Sequence, residues 1–106
     1  MMKYIVMQGR DYQTGAIHEL PIIFPKCINH DVMSQMTIRA MDRTGGDIKP
    51  TLNVVSAGFC EVSADPNCHG RSETLDLDSR GEQDDVLIRN ASQWNKTAVE
   101  AKDDAL

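Results

Sequence analysis

Four side chains in this chain have types and spacings that suit metal or thiol chemistry: Cys27, His30, Cys60 and Cys68. A structural zinc site wants four thiolates or imidazoles, usually offered as two close pairs. Cys27-x-x-His30 is one such pair. Cys60 and Cys68 flank a turn rich in Asp, Pro, Asn and Gly, so two strands meeting at that turn would bring them face to face. Their spacing is looser than closed zinc sites use, and Cys60 lies inside an apolar run. The plainer reading makes Cys60 a small buried hydrophobe and leaves Cys68 in the turn. A disulfide between the two is a further reading, since cross-strand α-carbons fall within reach of a bridge.

Thiol catalysis needs a base beside the sulfur. His69 follows Cys68 directly, but neighbours in a strand point to opposite faces, so His69 would not serve. His18 or His30 would have to arrive through the fold. Asp76-x-Asp78-Ser79-Arg80-Gly81 looks like the opening of a calcium loop and fails as one: Arg80 stands where an oxygen is needed and Leu87 where a bidentate Glu is needed. The glycines are scattered singly or in one pair, with no phosphate-cradling pattern. No catalytic residue and no cofactor is therefore expected.

Composition narrows the field. The 106 residues carry a net charge of −5, unevenly placed. Residues 1–60 are nearly balanced, whereas 61–85 hold Glu61, Asp65, Glu73, Asp76, Asp78, Glu82, Asp84 and Asp85 against Arg71 and Arg80. No basic stripe exists to neutralise phosphates, so nucleic acid is not an expected partner. An acidic surface facing a protein partner is the better expectation. The start MMKYIVMQGR has too short an apolar run for an export signal, and no stretch approaches the roughly 18 apolar residues of a membrane span. Three cysteines without an export signal point to free thiols and a cytoplasmic setting. The sequons at Asn90 and Asn95 are then chance matches.

The elements that must position these residues can be read in order. Residues 3–8 and 16–24 are extended runs around the turn GRDYQTG, a first hairpin; Pro21 cannot donate to a ladder, so the second run belongs on a sheet edge or begins after it. Val32, Met33, Met36, Ala40 and Met41 fall at helical spacing, with Asn29 or His30 as N-cap, Asp31 in the first turn and Gly45-Gly46 as the stop. Residues 53–80 read as a second, long hairpin, NVVSAGFCEV returning as RSETLDLDSR. Gly58 inside its first strand signals a bulge or a close approach by another backbone. Ser79-Arg80-Gly81-Glu82 matches a capping box opening a short helix to about Asn90. From 91 to 106 the chain is polar and charged, with Trp94 its one bulky anchor, and reads as a flexible tail.

These elements predict a single α+β domain over residues 1–90: a mainly antiparallel sheet of about four strands in two hairpins, one main helix on a face and a short C-terminal helix. A barrel-like closure is the alternative if Gly58 marks a strong bend. At this size roughly 65% of the chain's surface is buried on folding, one small core, and with few aromatics its volume must come from Ile, Val, Leu and Met.

The ordered run of PIIFP (21–25), His30-Asp31-Val32, VSAGF (55–59), and Cys68-His69-Gly70-Arg71-Ser72-Glu73, followed by Leu75, Ser79-Arg80, Asp85 and Leu87-Ile88, resembles a family of small, uncharacterised phage- and prophage-encoded proteins. The likeness spans residues 3–88, with Gly81 standing where the family pattern has a helix-initiating Pro. It implies a source and carries over no catalytic or ligand residue. The function expected is a non-enzymatic protein-interaction module, accessory or assembly in kind, with an unidentified protein partner. The alternatives are an acidic regulator or inhibitor of a host protein, and a metal-binding module built on Cys27, His30, Cys60 and Cys68.

Overall fold

In the computed structural model, residues 1–11, 13–44, 52–61 and 65–91 are described. The strands are β1 (Met2–Arg10), β2 (Ile17–Phe24), β3 (Asn53–Cys60), β4 (Arg71–Ser72) and β5 (Leu77–Asp78); the helices are α1 (His30–Thr44) and α2 (82–91). β1 is the centre of an antiparallel sheet ordered β2-β1-β3, and β4 and β5 pair in a separate two-stranded ladder. The fold is α+β. The three-stranded sheet does not close into a barrel.

β1 is covered on both faces, which explains why Tyr4-Ile5-Val6-Met7 is an unbroken apolar run rather than an alternating one. Tyr4 and Val6 point to one face, where Cys60, Cys68, Leu87 and Ile88 pack against them. Ile5 and Met7 point to the other, packing with Phe24, Ala57 and, from α1, Met33 and Ile38. Two small cores thus share one strand, one under α2 and one under α1.

β2 is an edge strand, and Pro21 sits within it opposite Val6. Asp11 N–H donates to Ala16 O at 2.9 Å at the base of the hairpin. Counting alternate pairs from there places Pro21 at a position whose nitrogen faces away from β1, so the missing donor costs the ladder nothing and blunts the free edge.

The long hairpin expected over 53–80 does not form as such. β3 pairs with β1 along its length, and the following segment joins it only at Phe59↔His69. The returning segment instead folds on itself as β4, a turn and β5. Gly70 and Asp76 take φ of +79° and +54°, which interrupts any extended run. Ser72 Oγ accepts from Leu75 N–H at 3.1 Å, and the Arg71 guanidinium gathers Glu73, Asp76 and Asp78. Local side-chain bonds of this kind compete with a long ladder.

Gly58 resolves the choice left by the sequence. A β-carbon built there would stand 2.5 Å from His69 O, so close backbone approach requires glycine. The bulge falls elsewhere, where the register slips between Val6↔Ser56 and Met7↔Val54 and leaves Val55 over.

α1 begins at His30 with Asp31 in its first turn. The expected apolar stripe divides: Met33 and Met41 turn inward with Ile38, while Val32, Met36 and Ala40 are exposed. Gly45-Gly46 lie outside the described residues, as do Trp94 and the segment read as a tail from 92 onward. α2 starts without the expected Ser79–Glu82 box. Ser79 Oγ accepts from Gly81 N–H at 3.0 Å, and the carboxylate that reaches back is Asp84, accepting from Arg80 N–H at 3.0 Å.

Candidate functional site

Among the described residues, a buried polar constellation lies between the sheet and α2. Tyr4, 0% exposed, donates its hydroxyl proton to Asp84 Oδ2 at 2.5 Å, and Ser79 Oγ lies 2.6 Å from the Tyr4 hydroxyl oxygen. Asp84, also 0% exposed, accepts from Arg80 Nε at 2.8 Å. Arg80 reaches on to Glu19 Oε2 of β2 at 2.8 Å. A buried carboxylate thus receives a phenol, a guanidinium and a backbone amide, and Arg80 ties α2 to the sheet edge. Burial, and then the bond to the anionic Asp84, hold the Tyr4 phenol well above its ordinary range. The phenol stays protonated as a donor. The Tyr4 hydroxyl and the Asp84 carboxylate satisfy each other inside the core, Arg80 Nη2 is buried without a partner among the described residues, and the arrangement fixes α2 on the sheet.

His30 is buried on the opposite face, 4% exposed. Its Nε2–H donates to Gly58 O at 2.9 Å. Phe24 and Phe59 meet the ring edge-on with centroids 5.6 and 5.7 Å away. Burial pushes its pKa below the ordinary histidine range, with the Gly58 bond opposing. A neutral imidazole clamped between two phenyl rings joins α1 to β3.

Of the four candidate ligands, Cys60 and Cys68 come together in one buried cluster. Cys27 is exposed in the turn before α1, and His30 belongs to the other core. Among the described residues no group of three or more His, Cys, Asp or Glu is placed to hold a metal ion. Cys68 N–H donates to Asp85 Oδ1 at 2.6 Å, and burial followed by the Asp85 carboxylate pushes its thiol far up. Burial also raises the Cys60 thiol. An activated nucleophile needs the opposite shift. His69, as its alternation with Cys68 predicts, is exposed; it stacks on Phe59 at 6.3 Å.

The acidic block of 61–85 is not one surface. Asp84 is buried and Asp85 holds the Cys68 amide, while Glu73, Asp76 and Asp78 crowd around Arg71. In the sequence Asp84 stands among solvated carboxylates, which hides the Tyr4–Asp84–Arg80–Glu19 network. One signal was available: Asp84, Leu87 and Ile88 are spaced i, i+3, i+4, which puts Asp84 on the inward stripe of α2.

What remains outward is apolar in places. On α1, Val32 is 46% and Met36 53% exposed, one turn apart. At the far end of the same face of the sheet, Met7, Leu20, Thr37, Met41 and Leu52 line a cavity of about 240 Å³. No helix among the described residues is long and apolar enough to cross a membrane.

Comparison with protein-family models, with curated proteins and with solved structures gives no match to this chain.

Proposed function

We propose that this chain is a non-enzymatic protein-interaction module, of the accessory or assembly kind encoded by phages and prophages, acting in the cytoplasm through its surface. The observation that carries this reading is the contrast between interior and exterior. Side chains with chemical potential (Tyr4, Asp84, His30, Cys60, Cys68) are buried in structural roles, whereas α1 turns Val32 and Met36 to solvent. Exposed apolar side chains one turn apart are the anchors with which a helix enters a groove of another protein. The partner is accordingly a protein whose groove accepts α1, with Arg39 at the rim of the contact and exposed on the same helix.

The test is a comparison of wild type with the double variant Val32→Glu/Met36→Glu in pulldown from phage-bearing cells, with light scattering in parallel. One protein, identified by mass spectrometry and bound by wild type but not by the folded double variant, is the expected result. Equal recovery of every captured protein by both forms, with both strictly monomeric, would remove the reading.

A further inference from the structure

Cys60 and Cys68 are bracketed by a backbone pairing that fixes their relation. Phe59 N–H donates to His69 O at 2.9 Å and His69 N–H donates to Phe59 O at 3.0 Å. Phe59 and His69 are therefore a hydrogen-bonded antiparallel pair, and the next position along both segments is Cys60 opposite Cys68. Such positions alternate, so Cys60 and Cys68 form a non-hydrogen-bonded pair, with amides turned outward and side chains on one face. Both amides behave accordingly: Cys68 N–H goes to Asp85, and Cys60 pairs on its other side with Met2 of β1. In a pair of this type the α-carbons lie about 4.5 Å apart, inside the roughly 4.4–6.8 Å spanned by protein disulfides. Both sulfurs lie in the same buried cluster, and both thiols are free.

We propose that Cys60 and Cys68 are an oxidisable cross-strand pair that a small two-electron oxidant, hydrogen peroxide, converts to a disulfide stapling β3 to the segment beneath α2. Cys68, 5% exposed against 0% for Cys60, is the sulfur nearer solvent. Peroxide oxidises it to the sulfenic acid and releases one water. The Cys60 sulfur then attacks the Cys68 sulfur, the S–S bond forms, the S–O bond breaks, and the hydroxyl leaves with the Cys60 proton as a second water. Two thiols and one peroxide thus give one disulfide and two waters, and a dithiol reductant reverses the step. Burial keeps both thiols protonated, so oxidation is slow at neutral pH and quickens as pH rises. The bridge would tie β3 to the segment before β4, whose Cys68 amide already holds Asp85 of α2, fastening the sheet to that helix.

The experiment uses the whole chain, fully reduced, freed of reductant and treated with hydrogen peroxide. Remaining thiols are then alkylated in denaturant. Alkylation should fall from three cysteines to Cys27 alone. After cleavage at Glu61 the fragments carrying Cys60 and Cys68 should run together and separate with dithiothreitol. A Cys27→Ser variant should respond as wild type does, and the oxidised form should show a higher thermal midpoint than the reduced form. The proposal is overturned if Cys60 and Cys68 stay alkylatable, if they pass to sulfinic or sulfonic acid unlinked, or if the disulfide found involves Cys27.

Discussion

Tyr4 and Asp84 lie 80 positions apart in the chain and share a 2.5 Å hydrogen bond inside the core. One belongs to the central strand and the other to the last helix, so this bond joins the two ends of the described fold. It also concentrates risk. A buried carboxylate holding three donors is stabilising only while those donors remain.

Asp84→Ala is expected to destabilise by about 3–5 kcal/mol, because it strips Arg80 of its buried counter-charge and Tyr4 of its acceptor. Tyr4→Phe, which removes one hydroxyl and leaves the packing, should cost ~1–3 kcal/mol. Urea titration measures both. A loss for Asp84→Ala no larger than that of a surface Asp would show the network to be dispensable.

Alkaline pH should weaken the fold through Tyr4, Cys60 and Cys68. All three are held protonated in the folded state beyond their ordinary ranges. As pH rises past about 8.5 for thiols and about 10 for phenols, the unfolded chain ionises and the folded chain does not, so stability is present below those values and lost above them. Denaturant midpoints under reducing conditions should decline from pH 8 to 11. In Tyr4→Phe the portion of the decline above about pH 10 should shrink.

His30 produces the opposite slope on the acid side. Its folded pKa is lowered by burial and by Lys3, against the pull of Gly58 O and Asp31. Below about pH 6.5 the unfolded chain takes up a proton that folded His30 refuses, so stability present above that pH is lost as pH falls. Between pH 7.5 and 5 the wild-type midpoint should drop more steeply than that of His30→Phe. Parallel curves would mean that His30 does not carry the effect.

Gly58→Ala and Gly15→Ala separate crowding from backbone strain. At Gly58 the new methyl would meet His69 O at 2.5 Å and Ser79 Cβ at 3.2 Å, so the Phe59–His69 pairing must shift; a cost of about 1–3 kcal/mol is expected. At Gly15, with φ +73° and nothing within 4 Å, only conformational strain is incurred, about 1–2 kcal/mol. Amide exchange at Phe59 and His69 should accelerate in the first variant and stay unchanged in the second.

Much of the architecture was legible from side-chain pattern. The hairpin of β1 and β2, the helix from His30, the edge position of the Pro21 strand and the short helix before residue 91 each rest on local rules of spacing and backbone chemistry. The second hairpin was misjudged because alternation in RSETLDLDSR is also satisfied by a two-residue ladder around Arg71. Pattern alone does not weigh that local ion cluster against a long pairing. The apolar period of α1 spans a broader arc than its buried face: Val32 and Met36 fit the period of the helix yet belong to its outer side.

The chain by itself determined that β1, β2 and β3 are strands and that α1 and α2 are helices, because hydrophobic period, glycine, proline and capping residues act within a few positions of each other. Only the tertiary structure decided that Asp84 is interior, that His30 stands between two phenyl rings, and that Cys60 meets Cys68 while Cys27 does not. The physical reason is that burial and hydrogen-bond partnership are set by contacts between distant parts of the chain. A carboxylate in an acidic run looks the same in the sequence whether it meets water or the phenol of the first strand.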